Sequence, residues 1–350
     1  MGTQLNLIEN NLHEVSVDNK RMLFHIPSSS LFQLDEVTGQ VIDLLREQSD
    51  LTYLRLQQRL ETQHSADVVS ETLRELVSME IVSDGRPLTP EIGIKHVENY
   101  PLNTLVLNVN TGCNLSCTYC YKEDLDKPSA GKKMTFETAK SSIEMLIKES
   151  PDETRYNLVM FGGEPLSHLP LIRQVVEYAE QRFGELDKQV DFTMTTNATL
   201  LNETTIDFLA KHRFGLSVSM DGPQAIHDRN RITVGGQGTY AVVAAKARLL
   251  LERYRSRPVG ARVTLTRGTT DVIRIWDHLF NDLGFAEVGF APVTSGDISS
   301  FNLTDAELVE VFSNMKKLGA HYLEEALEHR NIGFSNMHQL LTDIHEGSKK

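Results

Sequence analysis

The sequence predicts an α/β fold, a six-unit partial TIM barrel preceded by a small winged-helix-like domain. Two observations carry this. From residue 104 onward, near-continuous apolar strands alternate with amphipathic helical stretches in six successive units, the pattern of a parallel sheet covered by helices. Before residue 95 the pattern is instead a hairpin followed by three short helices. About eight units would close a full barrel with its chemistry at the C-terminal ends of the strands; six leave it open.

The first domain, 1–95, opens with LHEVSVDNKRMLFHI (12–26), a hairpin around Asp18-Asn19 with Val15, Val17, Leu23 and Ile26 expected to face inward. A helix spaced by Val37, Val41, Leu44 and Leu45 follows, then helices near 53–60 and 67–80. Winged helices often bind DNA, yet these residues carry 8 Lys/Arg against 15 Asp/Glu, so phosphates would be repelled. The plain alternative for this domain is a structural cap on the barrel.

The second domain, 96–300, begins with the strand TLVLNVNTG (104–112) and a helix over 134–150 that Thr135 is placed to cap. Strands recur at NLVMFGGE, VDFTMTTNAT, GLSVSMDG, GARVTLTR and EVGFAPV, and helices begin near 168, 203, 238, 271 and 305. The tail, 301–350, holds amphipathic helices near 304–329 and 335–345.

Over 350 residues, 35 Lys+Arg against 48 Asp+Glu give a net charge of −13, which disfavours a nucleic-acid or anionic-membrane partner. No apolar run of about 18 residues marks a membrane span, and the N-terminus lacks the basic-then-apolar order of a secretory signal. A cytoplasmic location is expected.

All three cysteines lie in GCNLSCTYCYKE (112–123). An odd number leaves one thiol outside any disulfide scheme. In a reducing compartment clustered cysteines more often bind metal or do redox work. Zinc wants four ligands, and only His168 and more distant histidines are at hand for the fourth. Iron–sulfur clusters usually take four thiolates, so three imply a 4Fe–4S cluster with one iron open. The other chemical-looking segments fall where the barrel rule places an active site: Gly162-Gly163-Glu164-Pro165 after the second strand, TTN (195–197) on the third and SMDGP (219–223) after the fourth.

Cys113-x3-Cys117-x2-Cys120, with Tyr119 before the last cysteine, resembles the signature of the radical S-adenosylmethionine (SAM) enzymes. The resemblance implies the same six-unit partial barrel, a 4Fe–4S cluster on the three cysteines, and SAM chelated by the open iron. An electron from a donor such as flavodoxin or ferredoxin then cleaves SAM to a 5′-deoxyadenosyl radical that takes hydrogen from an unactivated carbon. It also implies that the GGEP segment meets the amino group of SAM. Gly162 and Gly163 would permit close backbone approach, and Glu164 would offer a negative partner.

SVSMDGPQAIHDRNR (217–231) resembles a segment of the SPASM-linked peptide maturases, which include the anaerobic sulfatase maturases. By that resemblance Ser219 and Arg231 contact SAM, the arginine through its planar fork. Tyr119 and Gly163 lie near its adenosine and methionine ends, and Val293 near the adenine. The plainer readings are a loop arginine at 231 and a core valine at 293. Asp221 has two readings, a catalytic group that contacts substrate or moves a proton, and a cap on its Asp-Gly-Pro turn. His227 and Asp228 read as loop structure.

The first domain resembles the precursor-peptide recognition domains of peptide-modifying enzymes, where a leader segment adds a strand to the hairpin edge. FHIPSSSLFQLDEVTGQVIDLL (24–45) and IHEGSKK (344–350) resemble the quinohemoprotein amine dehydrogenase maturation subfamily. This implies a precursor peptide or small protein subunit as partner, and thioether bonds between Cys sulfurs and Asp or Glu side-chain carbons. In SPASM maturases a helical link leads into a cysteine-rich domain with auxiliary 4Fe–4S clusters. Its cysteines are missing here, so the chain is expected to stop before it. Sulfatase-maturase-like oxidation and small-molecule radical chemistry are the alternatives.

Overall fold

A computed structural model of the chain describes residues 4–17, 19–48, 51–86, 102–120, 131–294 and 300–346. Asp18 at the hairpin tip and the last residues of IHEGSKK lie outside them. The chain divides into two compact units, Met1–Asn99 with Gln339–Lys350, and Tyr100–His338.

In the first unit β1 (Asn6–Leu7) precedes a hairpin of β2 (Leu12–Val17) and β3 (Lys20–His25), which β4 (Ser30–Gln33) extends. Helices α1 (Glu36–Glu47), α2 (Tyr53–Leu60) and α3 (Ala66–Ser78) follow, and β5 (Val82–Ser83) returns to pair with β1. Each helix starts at a side-chain cap, from Asp35, Thr52 and Ser65 respectively, and their apolar stripes meet in one core that includes Leu23, Val41, Leu56 and Leu73.

The inward face of the hairpin departs from expectation. Leu23 is buried, but Val15, Val17 and Ile26 are exposed, Val17 at 53%. The register pairs Glu14 with Leu23 and Ser16 with Arg21, so the even-numbered residues of β2 share the face of buried Leu23. There Glu14 takes hydrogen bonds from Arg21 and Arg46, which hold its carboxyl below the usual range against the effect of burial. A paired carboxylate therefore occupies the face on which an apolar residue was expected, and the neighbouring valines turn outward.

The second unit is one six-stranded sheet, β6 (Thr104–Asn110), β7 (Arg155–Gly162), β8 (Gln189–Thr196), β9 (Gly215–Ser219), β10 (Val259–Leu265) and β11 (Glu287–Pro292), in sequential order and parallel throughout. Helices α4 (Phe136–Glu149), α5 (Leu169–Glu185), α6 (Glu203–Lys211), α7 (Gln224–Asn230), α8 (Tyr240–Arg253) and α9 (Val272–Asp277) link the strands. Thr135 caps α4 as expected, its hydroxyl accepting from Thr138 N. The short α7 was not foreseen, since seven residues span too few turns for a periodic stripe.

Leu158, Met194, Val218 and Val263 lie in the apolar core with residues of the helices, whereas Val159, Thr193, Ser217, Ser219 and Arg262 alternate onto the other, more open face. After β11 come α10 (Asp305–Leu327), begun by a capping box of Thr304 and Glu307, and α11 (Ser335–Glu346). Val311, Leu318 and Tyr322 of α10 belong to the same core. The turn before α11 seals the outer edge of β11: Val288 N donates to Gly333 O, and the Asn336 side chain both accepts from Phe290 N and donates to Phe290 O. No helix among the described residues is long and apolar enough to cross a membrane.

Candidate active site

The cysteine loop leaves the C-terminal end of β6 and is tied down on two sides. On one, Ser116 N and Thr118 N donate to Ile232 O and Asn230 O, and Thr118 Oγ1 donates to Asn230 Oδ1 at 2.7 Å. On the other, Asn114 Nδ2 donates to Thr199 Oγ1 at 2.7 Å. The segment after β9 and the end of β8 therefore hold the loop between them.

The GGEP turn presses against the same loop. Gly163 N donates to Asn110 O and Glu164 N to Gly112 O. A Cβ at 163 would lie 1.8 Å from Gly112 O and 2.8 Å from Cys113 N, and one at 162, where φ is +144°, would lie 2.2 Å from Asn110 O. The glycines thus permit a close approach of one stretch of backbone to another. Glu164 is buried, and its carboxylate accepts from Leu166 N, Thr196 Oγ1 and Asn197 N at 3.1, 2.7 and 2.8 Å. It fastens the turn to the end of β8.

Beyond β9, Asp221 is 2% exposed and joins three elements. Its Oδ1 accepts from Arg231 Nη2 and Thr264 N, both at 3.0 Å, and its Oδ2 accepts from the Tyr119 hydroxyl at 2.8 Å. Arg231 Nε lies 2.9 Å from Asp221 Oδ2 but without hydrogen-bonding geometry, so it is a buried donor without an acceptor. The guanidinium also stands 5.5 Å from the centre of the Tyr119 ring. Burial alone pulls Arg231 down, but Asp221, with Tyr119 and Cys117, raises it overall and fixes its charge. Burial, with Asp221 beside it, holds the Tyr119 phenol well above its usual range. Burial also pushes the Cys117 thiol up to about 11, against the pull of Arg231. Ser219 ends β9 half-buried, and Val293 lies just past β11 with its N–H on Leu265 O.

His227 has a structural role. Its Nδ1 accepts from Asp221 N at 3.4 Å, and its Nε2 faces Thr239 Oγ1 at 3.0 Å while that hydroxyl donates to Arg231 O. The ring is therefore neutral with its proton on Nε2, and burial lowers its pKa from 6.5 to about 4. Since the unfolded chain takes this proton near 6.5 and the folded chain only near 4, the contribution of His227 to stability is complete above pH 6.5 and is lost as the pH falls. Denaturant unfolding at pH 7 and pH 4.5 should differ by roughly 2 kcal/mol through this group, and His227→Gln should flatten that difference. An unchanged slope in the variant would exclude the role.

The site brings together the three cysteines, Tyr119, Gly163, Asp221 and Arg231. Sequence reasoning gave no role to Asn197, which contacts Cys113, or to Arg262; the TTN string flagged the first, and an arginine on an otherwise apolar strand was a signal for the second. His168, weighed as a zinc ligand, instead bonds Met134 O.

The sequence profile of the Radical SAM superfamily matches residues 107–275. Enzymes of that superfamily use a 4Fe–4S cluster and SAM, and a related solved structure holds AdoMet. The chain is 30% identical over 153 residues to the cysteine-type anaerobic sulfatase-maturating enzyme of Clostridium perfringens (strain 13 / Type A), which is 43% of this chain and 40% of that one. It is 31% identical over 157 residues to the serine-type enzyme of Bacteroides thetaiotaomicron, 43% of this chain and 36% of that one. The matched region thus spans about 40% of the first of these relatives. Among solved structures, anSMEcpe with bound AdoMet matches with a TM-score of 0.62 at 25% identity, over 72% of this chain and 68% of that one. Streptococcus suis SuiB bound to precursor peptide SuiA matches with a TM-score of 0.50 at 14% identity, over 94% and 72%, a likeness of fold alone.

The residues present fit these cofactors. Cys113, Cys117 and Cys120 are the chain's only thiols, and no disulfide involves them. Among the described residues no three His, Cys, Asp or Glu side chains are already placed around a common metal position. Arg231 offers a buried, unfilled donor to an anion such as the carboxylate of SAM.

Proposed function

We propose that the chain is a radical SAM enzyme that modifies a peptide, joining a Cys sulfur to a carbon of an Asp or Glu side chain. The observation that carries the radical SAM part is the cysteine loop clamped against GGEP at the C-terminal rim of an open parallel sheet, with a buried Arg231 donor beside it. When bound, the cluster and SAM supply an electron and a 5′-deoxyadenosyl radical able to take hydrogen from carbon. Cys113, Cys117 and Cys120 hold the cluster in this reading. Arg231 orients the SAM carboxylate, Tyr119, Gly162, Gly163, Ser219 and Val293 line the SAM site, and Glu164 secures the turn around it.

The peptide-modifying part is supported by the sulfatase-maturating relatives and by the fold shared with peptide-bound SuiB. The acidic first unit, with its hairpin, suits a leader peptide and not DNA. The preference for acidic residues is supported by Arg262, an exposed residue on the open face of the sheet, beside Ser219 in register, whose side chain has no ion-pair or hydrogen-bond partner among the described residues. Arg262→Ala should raise KM for an acid-bearing peptide about 10-fold or more, the worth of a charged hydrogen bond, and leave SAM cleavage unchanged. Equal KM values for acidic and neutral peptides in the unaltered protein would remove this role.

The deciding experiment incubates the anaerobically reconstituted protein with SAM, dithionite and a Cys- and acid-rich precursor peptide. Each cross-link removes two hydrogens, one as an atom taken by the 5′-deoxyadenosyl radical and one as a proton whose electron passes to an iron–sulfur acceptor. Mass spectrometry should show that loss together with a missing free thiol. A second reading, sulfatase-maturase-like oxidation, has the 30% identity in its favour. It predicts an oxidised residue with no interruption of peptide fragmentation between Cys and the acid. Absence of 5′-deoxyadenosine would defeat both.

A further inference from the structure

The end of β8 has no part in the reaction as described, yet its residues bond both to the cysteine loop and to Glu164. We infer that Asn197 is a positioning residue that donates a hydrogen bond to the Cys113 sulfur and thereby raises the reduction potential of the cluster; this rests on the reading that Cys113 is a cluster ligand.

Asn197 is 7% exposed, and its neighbours fix the orientation of its amide. Its Oδ1 accepts from Thr199 N at 3.1 Å and from Thr199 Oγ1 at 2.6 Å. That leaves Nδ2 facing Cys113 Sγ at 3.7 Å and Asn114 Oδ1 at 3.0 Å. Asn114 closes the ring by donating to Thr199 Oγ1, so a flipped amide would put donors against donors. The backbone is held as firmly, with Asn197 N on Glu164 Oε2 and Thr196 Oγ1 on Glu164 Oε1. Leu115 N reaches the same sulfur at 3.4 Å, whereas neither Cys117 nor Cys120 has a hydrogen-bond donor on its sulfur among the described residues.

Reduction adds negative charge to a cluster, and donors aimed at a ligand sulfur stabilise the charged state, moving the potential upward. Glu164 therefore acts on the cluster at one remove. By anchoring the end of β8 it keeps the Asn197 amide against Cys113.

The test is an EPR-monitored redox titration of the anaerobically reconstituted full chain beside Asn197→Ala and Asn197→Asp. The aspartate keeps the acceptor that Thr199 uses, so it serves even where the alanine variant fails to fold. Both variants should shift the midpoint to more negative values at unchanged iron content. In D2O the unaltered protein should show an exchangeable deuteron coupled to the reduced cluster that weakens in both variants. Unmoved midpoints and an unmoved coupling overturn the inference. A wild-type chain that takes up no cluster overturns the cysteine assignment beneath it, which separates the two failures.

Discussion

Protein carrying Cys113→Ala, Cys117→Ala and Cys120→Ala together should bind no iron–sulfur cluster on anaerobic reconstitution and show no iron-dependent visible absorption. SAM cleavage should fall to the uncatalysed background, because the electron enters through the cluster. The ground is chemical. These are the only thiols in the chain, all in one loop that three neighbouring segments hold in place. Apart from the two donors on the Cys113 sulfur, those tethers run through the backbone and through Asn114 and Thr118, so unfolding of the metal-free variant should change by no more than about 1–2 kcal/mol. A variant that lost its cluster by unfolding would fail that control, and one that kept its iron would move the ligands elsewhere.

Asp221→Ala should cost about 3–5 kcal/mol of stability, the usual penalty for leaving one partner of a buried ion pair uncompensated. The Arg231 and Asp221 side chains are 9% and 2% exposed, and among the described residues no other carboxylate is paired with Arg231. Asp221→Asn removes the charge but keeps one carbonyl oxygen for Thr264 N, with its NH2 turned toward the Tyr119 hydroxyl oxygen, so it should fall between. Replacing the pair together, Asp221→Ala with Arg231→Met, should recover most of the loss while abolishing tight SAM binding. Denaturant midpoints with matched slopes give the first quantity and equilibrium dialysis of SAM the second. A stable Asp221→Ala protein that cleaves SAM yet fails to modify peptide would instead make Asp221 the catalytic residue of the alternative reading.

Much of the fold was legible because its signals are local and repeated. The parallel strands announce themselves as apolar runs, and the helix start at Thr135 carries a capping residue in the expected place. The hairpin was legible as an element but not as a surface. Alternation gives two ways to face a strand, and only the register with β3 and the arginines around Glu14 choose between them. In the site, the cysteines were legible because their spacing is chemistry in itself. The bond between Asp221 and Tyr119 was not, since it joins residues 102 positions apart. The same holds for Glu164, whose carboxylate looked available in the sequence and is taken up by donors from β8 in the structure.

The seal on β11 also bears on the order in which the chain is made. A ribosome releases all six strands before it reaches Gly333 and Asn336, so a nascent barrel exposes the last edge as an open template until those residues emerge. Asn336 closes it with a side-chain amide that stands in for a seventh strand, offering one donor and one acceptor to Phe290. Chains stopped by a premature stop codon between Val293 and Gly333 would carry the complete cysteine loop and still be prone to stack edge to edge.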